Sequence, residues 1–243
     1  MFPPNDLPSP GQFLLVTDEL SSPADFLLHR SVADHLKRSS TSSDHCIILS
    51  VSEGLSRWKS IAAKTNINLS NLPPSKSFTF IDVLDVLQSF SLAQASSPLR
   101  PLYDVVSSKL AHSESHALVI LDDIAALEWT GRSFVDVSRF SRALRALCLK
   151  AKASLIIRHH LVELDDEPDH LFRHLLQLCT YHMDVRPLSS GRSGAVSGEV
   201  ALHAGPSTCL PELKTIPRAL AVQYRLTDSG SVFFERGTGG GVL

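Results

Sequence analysis

The sequence has no surplus of positive charge, no paired cysteines and no long apolar run, and each absence closes off a class of function. Its 23 Lys and Arg stand against 25 Asp and Glu, a formal net charge of −2. A chain that held nucleic acid alone, through a broadly basic surface, would carry a clear excess of Lys and Arg. The balance still accommodates one small basic patch contributed to a shared surface. The four cysteines, Cys46, Cys148, Cys179 and Cys209, form no C-x-x-C pair and have no zinc-site spacing. Cys46 and Cys179 border apolar runs, which reads as buried free thiols in a reducing compartment. No apolar run approaches the roughly 20 residues that cross a bilayer. The opening Met1-Phe2-Pro3-Pro4-Asn5-Asp6 lacks the basic-then-apolar pattern of a secretory signal. The expectation is a soluble protein of the cytoplasm, with the nucleus as a second compartment.

What is present suits a globular chain. Of the 243 residues 43% are hydrophobic, enough to build one large α/β domain over residues 1–243 without disulfides or metals. Residues 1–11 and 237–243, rich in Pro and Gly, are expected to be flexible. Apolar runs at 12–17, 46–51, 78–81, 117–121 and 154–158 read as strands, and the segments from 23 to about 37, 57–64, 102–110, 136–150 and 168–178 read as helices. Ser22 is placed to cap the first helix, with Pro23 at its first position and Asp25 in its first turn. In the helix over 136–150, Val137, Phe140, Leu144 and Leu147 recur every three or four residues and form one apolar stripe. Beyond residue 180 the pattern becomes short strands, at 181–185, 199–203, 221–226 and 232–235, joined by turns. Alternating strands and helices followed by hairpins imply a mostly parallel sheet extended by antiparallel strands. Residues 89–98 read as a polar loop.

The candidate chemistry is mostly incomplete. Leu118-Val119-Ile120-Leu121-Asp122-Asp123 resembles the Walker B strand of nucleotide hydrolases, where such an acid holds magnesium or orients water. Many buried strands also end in Asp. The companion motif, G-x-x-x-x-G-K-[ST], should follow the first strand, because its glycines let backbone N–H groups approach phosphate and its lysine neutralises charge. Residues 17–24 hold no Gly and no Lys. They add Asp18 and Glu19, which repel phosphate, and Pro23 lacks an N–H.

His159, His160, His170 and His174 lie near Asp165, Asp166 and Asp169, and His170 and His174 are spaced for one ligand. No third and fourth ligand has fixed spacing, so a polar helix face opposite Leu171, Leu175 and Leu178 accounts for them. Arg139, Arg142 and Arg145 lie opposite the apolar stripe. They suit a solvated face, or contact with RNA phosphate or an acidic partner. No G-x-S-x-G elbow is present. The residues support no catalytic, metal or cofactor assignment.

Short motifs in their order resemble the sixth-subunit family of the Elongator complex. They are Met1-Phe2-Pro3, the Leu-rich first strand without a phosphate loop, Pro101-Leu102-Tyr103-Asp104, Leu121-Asp122-Asp123, Ser231-Val232-Phe233-Phe234 and the final Val242-Leu243. The resemblance implies a RecA-like α/β fold, with a mostly parallel central sheet flanked by helices and antiparallel C-terminal strands. It implies a ring with Elongator subunits four and five, two copies of each. That ring binds tRNA and supports wobble-uridine modification carried out elsewhere in the complex. Asp122 and Asp123 would then be a degenerate Walker B pair, and no cofactor is expected. Loops after the central strands of such rings face the pore. Here they would be residues 128–134 and 159–169, making Arg132, Arg158, His159 and His160 the candidate tRNA contacts. The competing readings are an active RecA-like ATPase with an atypical phosphate loop, of the recombination-paralogue type, and a scaffold domain that never meets RNA.

Overall fold

A strand covered on both faces must be apolar at every position, because neither side of its pleat meets water. The central runs obey this rule. The computed structural model describes residues 7–38, 44–89, 97–111, 116–162, 169–188, 190, 191, 193–208, 213–228 and 230–236. In chain order the elements are β1 (Phe13–Glu19), α1 (Asp25–Lys37), β2 (Asp44–Ser50), α2 (Leu55–Lys64), β3 (Lys76–Asp82), α3 (Val83–Ser89) and α4 (Arg100–Ala111). Then follow β4 (His116–Leu121), α5 (Ala125–Trp129), α6 (Phe134–Lys150), β5 (Ser154–Leu161), α7 (His170–Leu178), β6 (Tyr181–Arg186), β7 (Gly198–Ala204), β8 (Val222–Thr227) and β9 (Gly230–Phe234).

Among the described residues nine strands share one sheet, ordered β3-β2-β4-β5-β1-β6-β7-β8-β9. Strands β3 through β6 run parallel, and β7, β8 and β9 continue antiparallel. The protein therefore has the α/β class expected, a mostly parallel sheet with antiparallel C-terminal strands, flanked by helices. Alternate residues feed two cores. Phe13, Leu15, Ile47, Leu49, Val119, Leu121, Leu155 and Ile157 pack toward α3, α4, α6 and α7. Leu14, Val16, Cys46, Ile48, Leu118, Ile120 and Ile156 pack toward α1 and α2.

Several local expectations change. Ser22 is not the cap of α1: the N-cap is Ala24, with no side-chain cap bond of its own. The Ser22 hydroxyl bonds Tyr224 Oη at 2.8 Å instead, and Asp18 Oδ2 accepts the Ala24 N–H at 2.6 Å. His159 and His160 lie inside β5 rather than in a loop. Arg145 leaves the solvated stripe, because its Nη1 donates to the Gly11 carbonyl at 2.8 Å. Helices α3 and α5 were not expected. α5 is too short to show a period, and it begins where Asp123 Oδ1 accepts the Ala125 N–H at 3.0 Å. Residues 1–6, 90–96, 163–168, 237–243 and Cys209, on which some sequence readings fall, lie outside the described residues.

Candidate functional site

The winding of the chain reverses at β1. The path from β1 to β2 crosses through α1 on one face, and the path from β5 to β6 crosses through α7 on the other. In open α/β sheets, ligands bind outside the carboxyl ends of the strands at such a reversal. At that edge the structure gathers Asp18 from β1, Asp122 and Asp123 after β4, and Arg158 and His160 from β5.

Asp18 sits at the centre, with its side chain fully buried. Its carboxylate accepts the Ala24 N–H at the start of α1, lies 3.0 Å from His160 Nδ1, and lies 3.8 Å from Arg158 Nη1. A helix N-terminus, a guanidinium and an imidazole are the donors an anion would seek. Here the chain's own carboxylate takes all three. Arg158 is held on its other side by Asp123 Oδ2 at 4.0 Å, and only 12% of its side chain is exposed.

Asp122 is equally committed. It accepts hydrogen bonds from the Ser50 hydroxyl and from the N–H groups of Val51 at 2.8 Å and Ser52 at 3.4 Å. Burial raises the pKa of Asp122, with those bonds opposing the rise. Burial also raises that of Asp123, with Arg158 opposing it and Asp122 adding to it. These acids anchor the β2–α2 turn and start α5.

The other candidates are also accounted for by packing. His159 is buried, its Nε2 lies 2.7 Å from Asp169 Oδ2, and its ring stacks on Phe172 at 6.2 Å and 5°. Burial pushes the Asp169 pKa up, but the bond and charge of His159 and the N–H groups of Phe172 and Leu171 hold it below the usual value. His174 turns inward to Ser141 Oγ at 3.1 Å, while His170 is exposed, so the two do not share a ligand. Arg132 is half-buried, and Arg139 and Arg142 are exposed. Cys148 and Cys179 are free thiols whose pKa burial pushes up to about 12, which leaves them unreactive.

Two features escaped the sequence reading. Asp18 was legible as an acid in the wrong place for phosphate, but not as an internal ligand. Trp129 is 63% exposed at the end of α5 and packs edge-on against His160, with ring centres 6.3 Å apart. Only an exposed Trp beside a strand-end acid pair could have signalled it.

A model of the family described as Elongation complex protein 6 matches residues 3–228. A Xenopus laevis protein named Elongator complex protein 6 is 26% identical over 254 aligned residues, covering 96% of this chain and 93% of that protein. Its Xenopus tropicalis counterpart is 26% identical over 255, with 96% and 93% covered. A Danio rerio protein of the same name is 23% identical over 258, with 96% and 94% covered.

Proposed function

The chain belongs to the Elongation complex protein 6 family, and on that premise we propose that it is a non-catalytic subunit of Elongator. It assembles with subunits four and five, two copies of each, into a RecA-like ring that binds tRNA and supports wobble-uridine modification. The proposed compartment is the cytoplasm, with the nucleus as a second. The observation that carries the non-catalytic part is Asp18. A buried carboxylate already holds the α1 N-terminus, Arg158 and His160, so a phosphate entering there would meet a like charge in a medium of low dielectric. The alternative of an atypical but active phosphate loop loses its anion-binding donors to that carboxylate.

Arg158, His159 and His160 are engaged with acids of the same chain, so RNA contact on this chain falls to Arg132 and to the exposed Arg139 and Arg142 of α6. Each contact is modest, and repetition around a ring raises affinity through multivalency. The test is co-expression with subunits four and five, with native mass spectrometry of the product and calorimetric titration of ATP into the isolated chain. The expected result is a six-chain assembly with no measurable magnesium-dependent ATP binding by this chain alone. Micromolar ATP binding, or a chain that never enters the assembly, overturns the proposal.

A further inference from the structure

Trp58 is the only buried residue of α2. It is 2% exposed, and its ring stands against that of His29 on α1, with centres 4.2 Å apart. Its Nε1 has no hydrogen-bond partner among the described residues. An indole N–H can only donate, and a buried Trp usually gives it to an acceptor. Left unmade, that bond costs the desolvation of the group with nothing to offset it.

Trp58 lines a cavity of about 230 Å³ between α1 and α2. α1 turns Phe26, His29, Arg30 and Ala33 to it, and α2 turns Trp58, Ile61 and Ala62, one helical stripe from each. Each stripe carries an Ala where a larger side chain would take up the space. The turn of the β8–β9 hairpin closes a third side with Gly230 and Ser231. Packed interiors keep few voids larger than a water molecule, and one of about 150 Å³ already admits a benzene ring. The space here suits one ring with a short substituent.

The polar groups of the wall are mainly donors. Arg30 Nε is buried without a hydrogen bond, as Trp58 Nε1 is, and lies 3.5 Å from Asp34 Oδ2. Among the described charged residues that line the cavity, Arg30 and Lys37 outnumber Asp34. His29 adds no charge at neutral pH, since burial lowers its pKa to about 4. Apolar walls with N–H groups and an excess of positive charge suit a ligand with an apolar body and an anionic acceptor.

We propose that the cavity between α1 and α2 binds a small monocyclic aromatic carboxylate, whose carboxylate accepts the Trp58 N–H and faces Arg30. The ring fills the apolar part of the space. Bound there, the ligand ties the two helices to the β8–β9 hairpin. The site stands on this chain alone and does not depend on assembly with other subunits.

The experiment titrates the full chain calorimetrically with phenylacetate and with benzylamine, which match in size and differ in charge. Trp58 and Trp129 are the two tryptophans of the chain, so in a Trp129→Phe background the emission of Trp58 reports occupancy. Phenylacetate should bind saturably at about 100 μM or tighter, shift that emission and raise the melting temperature. Benzylamine should bind at least about tenfold more weakly. Trp58→Phe keeps a ring, removes the N–H and should weaken phenylacetate about tenfold. Ala62→Leu fills the cavity and should abolish binding without lowering the melting temperature. That second variant keeps the test open if Trp58→Phe does not fold. No saturable binding of phenylacetate by the wild type overturns the proposal. Binding unchanged by Ala62→Leu lies elsewhere and overturns it too. Equal affinity for benzylamine, or for phenylacetate in folded Trp58→Phe, means a void without anion recognition and also overturns it.

Discussion

Arg158 shows how a surface candidate becomes an interior one. Its position near the end of an apolar strand suggested a pore-facing cation, but β5 continues to Leu161 and carries it into the acids of Asp18 and Asp123. Arg158→Met would leave Asp18 buried with only His160 and one N–H group, at a cost of about 3 kcal/mol. Arg139→Ala, on the exposed face of α6, should cost no more than about 0.5 kcal/mol, as for surface changes generally. Urea unfolding midpoints of both variants check the contrast, and equal midpoints would refute it. Buried histidines contribute to the pH response, against the raised carboxyls of Asp122 and Asp123. Burial lowers the pKa of His29, His35 and His182 to about 4 from an ordinary 6.5. The unfolded chain therefore binds these protons first, so their contribution to stability is full above pH 6.5 and is lost as pH falls toward 4. His182 also bonds Thr17 Oγ1 at 2.7 Å. Its replacement by Asn should make the fall in stability between pH 6.5 and 4 shallower, leaving the share of His29 and His35, as measured by denaturant titration at several pH values.

Elements were legible where their period or their apolar run was long, and less so where a few polar contacts decided them. The stripe of α6 placed Val137, Phe140 and Leu144 in the core, and the strand at 117–121 became β4 almost unchanged. The helix caps divide on the same line. Ser133 caps α6 by accepting the Asp136 N–H at 3.2 Å while donating to Asp136 Oδ2 at 2.6 Å. Ser133→Ala should cost about 1 kcal/mol, read from the thermal midpoint. Ser22, which has the sequence of a cap, serves a residue on β8 instead, because Tyr224 reaches it first. No local pattern announces a partner 202 positions away. The acids of the candidate site were legible as residues and hidden as a network, since which cation neutralises which acid depends on strand order.

Across the whole molecule, the first turn and the last strands are fastened together. Ser22 Oγ bonds Tyr224 Oη, and the backbone passes so close that a Cβ on Gly198 would lie 2.4 Å from Ser22 Oγ and 2.7 Å from the Arg186 carbonyl oxygen. Gly198→Ala should therefore destabilise the fold by about 2–3 kcal/mol. Ser22→Ala and Tyr224→Phe should be non-additive, with a coupling of about 1 kcal/mol in a double-mutant cycle. Independent effects would show that the tether does not matter. The place of β1 in the sheet has a consequence for biosynthesis. β1 pairs with β5 on one side and β6 on the other, so it leaves the ribosome before both of its neighbours and waits for residues 154–161 and 181–186 before either of its edges is covered. Translation runs at about 5–20 residues per second, which leaves this apolar strand open for many seconds on every nascent chain and makes it a natural client for a holding chaperone.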